Sequence, residues 1–501
     1  MTAAPPAPIP ASADAPVDVP AAVPAAVAAG PDPGADPGAG GRRELRPLAG
    51  VLTAMAVSLT GTRISAVALP WFVLATTGSA TRTGLVAFCE MAPYVLVKAL
   101  TGPLLDRVGP RRVSWITDAV SAAAAALIPL LHALGVFSFG LLLALVAVIG
   151  AVRGPGDLAK HIMVPESADL SRVPLERATG LAGVTERLAS TIGPAAGGSL
   201  VALLGPLTGV AVNAVCFALG SVVVGLVLPR GMGRSATSQS DTSADPAEPG
   251  YWSRFGEGLR FLRGEPLLLT VIVMVGITNL LDAAFMTVLV PVWAKDSGGG
   301  PTAIGLTGSA WGIAAVGGSL IAAAVAHRMR RRVVFFAGFL LAGAPRFLVL
   351  ALGAPMWAVL AVFAVGGFGA GFLNPILGAV SFERVPRRLL GRVNALGDSM
   401  AWAGIPVGGL IAGAAVATAG LAPTLLAAGA AYFLTTNLTG LRPEWKEMDR
   451  LRGRGTATDP AMPAEPAPPR PLQIPPPHHG TDGRSAARPG RRDPRRRSSD
   501  G

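Results

Sequence analysis

Long apolar runs, separated by short polar stretches, fill the chain between residues 46 and 440. A helix that crosses a bilayer needs about 20 mostly apolar residues, and backbone polar groups cannot stay without hydrogen bonds in hydrocarbon. Each run is therefore predicted to be a transmembrane helix, since the alternating strands of a membrane barrel are absent. The twelve predicted helices lie near 48–75, 83–105, 111–134, 137–160, 174–204, 207–229, 266–294, 302–327, 332–352, 355–383, 388–418 and 421–440.

The composition also indicates an integral membrane protein. Of the 501 residues, 51% are hydrophobic and only 14% are charged, and the mean hydropathy is +0.52. A soluble domain carries roughly 25% charged residues, so this chain has too few to cover a water-facing surface. The net charge of +12 lies in short clusters between apolar runs and in the last twenty residues, and we therefore expect no nucleic-acid partner.

Polar stretches predict five regions along the chain. Residues 1–45 are rich in Pro and Ala and residues 442–501 in Pro and Arg, and both are predicted to be disordered tails. Residues 230–263 are rich in Ser, Asp, Pro and Arg and predict a cytoplasmic loop that ends in an amphipathic interfacial helix. This loop separates a six-helix half at 46–229 from a second at 264–441.

The charges of the connections predict the orientation. Alternate connections carry 20 Lys and Arg residues in total, whereas the five connections on the other side carry two, Arg82 and Lys295. Membrane proteins keep basic loops on the cytoplasmic side. Both termini are therefore predicted to be cytoplasmic, in a multi-pass protein of the cell membrane.

The two predicted halves repeat several residues in the same order. The matches are Pro70 with Pro291, Gly84 with Gly305, Arg107 with Arg328, Pro194 with Pro406, and Gly197 with Gly409. The first three pairs are 221 residues apart and the last two are 212 apart. The set indicates duplication of a six-helix unit, the parallel repeat of transporters that bind substrate between their halves near mid-membrane.

A polar loop after the second predicted helix carries a recognisable motif. Its residues are Gly102, Asp106, Arg107, Gly109, Arg111 and Arg112. The motif resembles the loop signature of the major facilitator superfamily, G-x-L-x-D-R-x-G-x-(R/K), although Pro110 displaces the basic pair by one position. The resemblance covers residues 46–440 and implies an all-α membrane fold of twelve transmembrane helices in two parallel-repeat halves. The loop is expected to gate the cytoplasmic side, its arginines pairing with carboxylates.

Small residues on the fifth predicted helix suggest a direction of transport. They are Gly180, Gly193, Pro194, Gly197 and Gly198, with Ala189 in place of a further glycine. The pattern resembles the exporter signature of drug–proton antiporters, G-x8-G-x3-G-P-x2-G-G. Small residues let helices approach closely and proline bends a helix, so the segment is expected to close one side of a cavity. The stretches 151–198 and 381–409 look more like the macrolide-efflux and siderophore-export branch.

Three charged residues within the predicted helices are candidates for the substrate and proton pathway: Arg63, Glu90 and Asp282. Charged groups inside a membrane are costly and usually have a partner or a function. The resemblance places the first and seventh helices around the cavity, so Arg63 and Asp282 are expected to pair across it. That pair is either a site where substrate or proton competes or a static salt bridge. Glu90, which shares a helical face with Tyr94 and Lys98, is the alternative proton carrier.

Other charged residues receive structural interpretations. Gly150 occupies the position at which the antiporters carry a proton-coupling arginine, and Arg153 is expected at the cytoplasmic end of the fourth helix. Asp118 and Asp398 are expected to pair with the arginines around Arg107. A structural role is also expected for Glu186, Arg187 and Arg346, the last near the outer end of the ninth helix.

The sequence carries no motif for enzymatic chemistry. The histidines are scattered, Cys89 and Cys216 lie in apolar runs, and phosphate-binding and catalytic-serine patterns are absent. We therefore expect neither an enzyme nor a bound metal or cofactor. The expected function is proton-coupled export of a lipophilic drug or secondary metabolite by alternating access, in a monomer that contacts lipid, an amphipathic substrate and protons. Uptake of a small solute, or a receptor or scaffold role on the same fold, remains an alternative.

Overall fold

The computed structural model describes residues 45–230, 232, 251–325, 331–373, 376–377, 384–385 and 390–440. The predicted tails lie outside these residues almost completely, as does much of the predicted loop at 230–263. The side chain of Asp106 is also outside the described part.

The described chain is helical throughout. Its first seven helices are α1 (Arg46–Thr77), α2 (Ala80–Ala99), α3 (Gly102–Val108), α4 (Pro110–Ala133), α5 (Phe139–Leu170), α6 (Leu175–Leu204) and α7 (Pro206–Val227). The following helices are α8 (Tyr251–Gly264), α9 (Pro266–Ala284), a π-helical turn (Phe285–Leu289), α10 (Val290–Asp296) and α11 (Gly300–Val325). The last are α12 (Arg331–Ala342), α13 (Ala344–Ala351), α14 (Met356–Ala370), α15 (Leu390–Trp402), α16 (Ile405–Ala419) and α17 (Leu421–Gly440).

Within the described residues, nine stretches are long and apolar enough to cross a membrane, and each coincides with one of the predicted spans. The three remaining predicted spans correspond to α2, α6 and α14. Helix α14 is apolar but has only 15 described residues. Helices α2 and α6 have 20 and 30 residues and include several charged side chains, because both line the space between the halves.

Helix α5 extends well beyond its predicted bounds. It continues to Leu170, ten residues past the predicted end, and accommodates Pro155 and Pro165 within its length. Arg153 therefore lies near the middle of this helix. The placement of Arg153 at the cytoplasmic end is wrong, because hydropathy does not reveal where a helix continues beyond an apolar run.

Buried side chains form several apolar clusters. In the first half, Phe72 and Ile128 belong to one cluster, while Met55 belongs to a second. Helices α9 to α17 share a larger cluster that is rich in phenylalanine and also includes Val67 and Leu74 of α1. Each half therefore has apolar packing of its own, and the largest cluster continues across the contact between the halves.

Two sets of loops define the two faces of the molecule. The start of α1 contacts the end of α5 through the Leu48 N–H, which donates to Ser171 Oγ over 3.2 Å. We call this the tail face, because residues 45 and 440, which adjoin the two predicted tails, lie at this face. At the opposite face, the Lys295 ammonium at the end of α10 donates to the Leu74 carbonyl over 3.3 Å.

The halves touch through glycines near the opposite face, where α2 packs on α16 and α6 packs on α11. A methyl group added to Gly84 would collide with the carbonyl oxygen of Gly409, and one added to Gly198 would lie 2.7 Å from the Cα of Gly305. The hydroxyl of Thr81 donates to the Gly413 carbonyl over 3.2 Å. We call the two glycine contacts, Gly84 with Gly409 and Gly198 with Gly305, the glycine seam. Three of its four glycines, Gly84, Gly305 and Gly409, belong to the repeated pairs found in the sequence.

Candidate functional site

A cavity of about 360 Å³ lies between the halves, on the tail side of the glycine seam. It extends from Pro70 and Thr83 near the seam to Lys98 and His161 nearer the tail face. Most of its wall is apolar, and the second half contributes four residues. The apolar lining residues are Met55, Leu59, Ala66, Leu69, Pro70, Val86, Ala87, Met91, Ala283 and Ile405.

A chain of polar contacts crosses one wall of the cavity between α2 and α5. Arg153 Nη1 donates to Glu90 Oε1 over 2.7 Å, and Arg153 Nε lies 3.8 Å from Asp157 Oδ2. The hydroxyl of Tyr94 donates to the same Asp157 oxygen over 3.4 Å, and the guanidinium of Arg153 lies 4.6 Å from the Tyr94 ring centroid. Glu90 is thus part of a partly exposed ion pair that faces the cavity, with its side chain 22% exposed.

Sequence reasoning placed Glu90, Tyr94 and Lys98 on one face, and the structure confirms that all three line the cavity. It missed the matching residues of α5, Arg153 and Asp157. The sequence contains a signal for this pairing, because α2 and α5 run in the same direction and both carry polar residues at a spacing of four. The two contacts Glu90 with Arg153 and Tyr94 with Asp157 each join residues 63 apart in sequence. Trp402, in the opposite wall, was also missed.

Arg63 lies in the cavity wall, exposed to the cavity. Its Cβ abuts the backbone of Gly193 on α6. Within the described residues, no carboxylate oxygen lies within 4 Å of its guanidinium, and Glu186 in the same wall attracts it from farther away. The candidate Arg63 is therefore a cavity residue, but it is not paired with Asp282.

Asp282 instead pairs with Arg346, within the second half. Arg346 is 2% exposed, whereas the Asp282 side chain is 40% exposed. Four aromatic rings surround the guanidinium with their centroids 4.7 to 5.5 Å away: Phe285, Trp311, Phe347 and Tyr432. The predicted pairing across the cavity is wrong because Arg346 reaches from α13 to Asp282 inside its own half.

Asp118 also has a different partner from the one predicted. Its Oδ1 accepts from Lys160 Nζ over 2.7 Å, and its Oδ2 accepts from Ser58 Oγ over 3.4 Å. Both members of the ion pair are almost fully buried. Because α5 extends past residue 160, Lys160 is a helix residue next to α4 and not a loop charge. Asp398, also expected beside the arginines, attracts Lys98 of α2.

The predicted gating loop forms α3 and its junction with α4. Gly102, Arg107 and Arg112 are exposed, and Gly109 has a φ of +89°, a conformation that favours glycine. Arg111 does not pair with a carboxylate as predicted. Its Nε donates to the Leu228 carbonyl over 3.1 Å and its Nη2 to the Gly225 carbonyl over 2.5 Å, so it caps the end of α7.

A similar cap occurs in the second half, where Arg332 Nη2 donates to the Gly440 carbonyl over 3.1 Å.

We expect Arg111→Gln to lower the free energy of unfolding by about 1–2 kcal/mol, because it removes charge-assisted bonds to the carbonyls at a helix end. The neighbouring exposed Arg112→Gln serves as the control and is expected to change it by less than ~0.5 kcal/mol. Thermal unfolding in detergent measures both, and equal shifts would contradict the assignment.

The small-residue motif of α6 lies against two other helices. A methyl group on Gly193 would collide with Arg63 Cβ, and one on Gly197 would lie 3.1 Å from Ile64 Cα. Pro194 and Gly198 face α11, where the carbonyl oxygen of Pro194 lies 2.9 Å from a methyl added at Gly305. Gly180 has open space around it. The motif thus lets α6 approach both α1 and α11 on the side where the halves touch.

Comparison with known proteins agrees with this architecture. The family model described as "Transmembrane secretion effector" matches residues 47–464. The multidrug efflux pump Tap of Mycobacterium tuberculosis is 31% identical over 412 residues, covering 80% of this chain and 94% of the pump. Tap of Mycolicibacterium fortuitum is 30% identical over 409 residues, covering 80% and 97%.

Solved structures support the same fold. Two crystal structures of the nucleoside transporter NupG, one of a mutant, align with TM-scores of 0.64 and 0.60 at 14% sequence identity. They cover 81% of this chain and 99% and 98% of the transporter chains. At this identity the likeness concerns the fold alone. With the family match over most of the chain, it follows that the protein is a secondary transporter that belongs to the transmembrane secretion effector family of the major facilitator superfamily.

Proposed function

We propose that the protein exports amphipathic organic compounds from the cytoplasm in exchange for protons. The observation that carries the proposal is a mostly apolar cavity between the halves that contains the Glu90–Arg153 ion pair. A largely apolar wall that also carries charged side chains suits a large amphipathic molecule better than a sugar, which needs many hydrogen-bonding groups. The match to multidrug efflux pumps over four fifths of the chain supports the same substrate class.

The charge of the connections supports a cytoplasmic tail face. Arg153 and Lys160, two of the 20 basic residues assigned to these connections, lie well inside α5 and do not contribute to the bias, and the remaining basic residues still greatly outnumber the two on the other side. The bias still supports cytoplasmic termini. The seam then closes the outer side and the cavity lies toward the cytoplasm, which is the state that loads an export substrate.

Transport then requires the opposite state, in which residues 46–229 rock against 264–441 and the seam opens. The cavity is built from a single chain, so a monomer is sufficient. Glu90 is the proton acceptor in this proposal. A proton on Glu90 removes the charge that holds Arg153 Nη1 at 2.7 Å, so substrate binding and proton binding both act on the same ion pair.

Glu90→Gln is expected to abolish the coupling of export to the pH gradient, because glutamine cannot carry the transported proton. In proteoliposomes loaded with ethidium, an imposed pH gradient should accelerate ethidium movement for the wild type and not for the variant. A protonophore should remove the wild-type acceleration.

Glu176→Gln is the matched control, since Glu176 is exposed in the first turn of α6 away from the cavity. It should keep the wild-type response. Gradient-driven export that survives in Glu90→Gln would rule out Glu90 as the proton acceptor. Uphill movement of solute in the opposite direction would instead favour uptake.

A further inference from the structure

The ammonium group of Lys98 occupies a defined place between the two halves. Its Nζ lies 4.4 Å from the ring centroid of Trp402 and 5.3 Å from that of Tyr94. It also donates to the Tyr94 hydroxyl over 3.4 Å. Lys98 and Tyr94 belong to α2 of the first half and Trp402 ends α15 of the second, so the contact spans the cavity.

The two rings lie next to each other beside the ammonium. Their planes are 18° apart and their centroids are separated by 6.3 Å, so the ammonium, 4.4 and 5.3 Å from the two centroids, is off the line that joins them. Two carboxylates attract the ammonium. One is Asp157, which accepts from the Tyr94 hydroxyl over 3.4 Å, and the other is Asp398, one helical turn before Trp402.

Two aromatic faces with nearby carboxylates are the groups with which proteins bind organic cations. A cation gains from the negative face of each ring, and the gain increases as water is excluded. All lining groups are present in one chain, and the position that a ligand cation would take is filled by a side chain of the protein.

Lys98 is well placed to leave this position. It lies one residue before the end of α2, and its side chain is a flexible four-carbon stem. Within the described residues, no carboxylate oxygen lies within 4 Å of its Nζ, so a direct ion pair does not hold it there. Rotation of the stem toward the tail face would expose the two rings to the cavity.

We propose that the Lys98 ammonium is a tethered occupant of a cation site formed by Tyr94, Trp402, Asp157 and Asp398, and that cationic substrates bind by displacing it. The inference rests on the proposed function and adds the charge of the substrate and the place of its cationic group. Lys98 sets selectivity, because a cation must compete with it whereas a neutral compound does not. The exchange also keeps one positive charge beside the two rings throughout loading.

Binding of ethidium and of neutral chloramphenicol to the purified full-length protein tests the displacement. Lys98→Met removes the competing cation and should tighten ethidium binding roughly tenfold, while chloramphenicol binding stays within about twofold. Lys98→Arg retains a cation and should leave ethidium affinity near the wild-type value. Trp402→Leu in the Lys98→Met background should reverse the gain, because one of the two rings is lost.

Lys446→Met, in the polar C-terminal segment, controls for removal of one positive charge. Ethidium binding that is unchanged or weakened by Lys98→Met in a folded, monodisperse protein would overturn the proposal, as would a lack of ethidium binding to every variant. Equal tightening of ethidium and chloramphenicol would overturn it too. If ethidium is exported but Lys98→Met does not bind it more tightly, the proposed function stands and the displacement is refuted. If Lys98→Met binds ethidium more tightly but ethidium is not exported, the displacement stands and the proposed function is refuted.

Discussion

Asp282→Asn should destabilise the protein by about 3–5 kcal/mol, because it leaves the buried guanidinium of Arg346 without its counter-charge. Arg346 is 2% exposed and faces four aromatic rings, which attract a cation but do not neutralise it. The loss corresponds to a large decrease in the ratio of folded to unfolded protein. Thermal unfolding in detergent, followed by size-exclusion chromatography, measures it.

The double variant Asp282→Asn with Arg346→Met should recover most of the lost stability, because replacing both members of a buried pair with uncharged groups is often neutral. Asp296→Asn, at the exposed end of α10, is the matched control and should change little. If the double variant is folded and exports at the wild-type rate, the ion pair is structural. If it is folded and does not export, Asp282 belongs to the transport pathway.

Gly198→Leu should stop transport, because the added side chain prevents α6 from approaching α11. Even a single added methyl would lie 2.7 Å from Gly305 Cα, so a leucine forces the helices apart. Overpacking costs about 1–3 kcal/mol, and here the cost applies only to the state in which the seam is closed. The population of that state should fall roughly 5- to 150-fold relative to the open one.

Spin labels at Leu203 and Asp296, at the ends of α6 and α10, report the separation of the halves at the opposite face, in a chain with both native cysteines replaced. Gly198→Leu should lengthen the measured distance. Gly183→Leu is the control on the same helix, because nothing lies within 4 Å of an added Cβ there. Wild-type export by Gly198→Leu would show that the closed seam is not needed for the cycle.

The positions of the helices could be predicted from the sequence, because a lipid bilayer requires a minimum apolar length of every span. The same criterion failed where a helix continues past its apolar run, as in α5. Residues 161–170 of that helix are too polar to extend the apolar run, so the sequence predicts that the span ends near 160, with Arg153 and Lys160 close to its cytoplasmic end. The consequence was that the ion pairs Glu90–Arg153 and Asp118–Lys160 were not predicted.

The depth of a charged residue was also easier to predict than its partner. Spacing along a helix placed Glu90, Tyr94 and Lys98 on one face correctly. Depth alone did not reveal that Asp282 points to Arg346 instead of Arg63, since that choice depends on how each helix is rotated about its axis. Packing against neighbouring helices fixes this rotation, and a single sequence contains little information about it.

The glycine seam has a consequence for the origin of the fold. Gly84 of α2 contacts Gly409 of α16, and Gly305 of α11 contacts Gly198 of α6. Gly305 is the repeat partner of Gly84, and Gly198 is next to Gly197, the repeat partner of Gly409. The two contacts therefore exchange with each other, to within one residue, when the halves are interchanged. This reciprocity is the property of an isologous interface, in which the same surface patch is used by both subunits of a two-fold symmetric dimer. A single six-helix ancestor could thus have paired with its own copy through this surface before the two were joined in one chain.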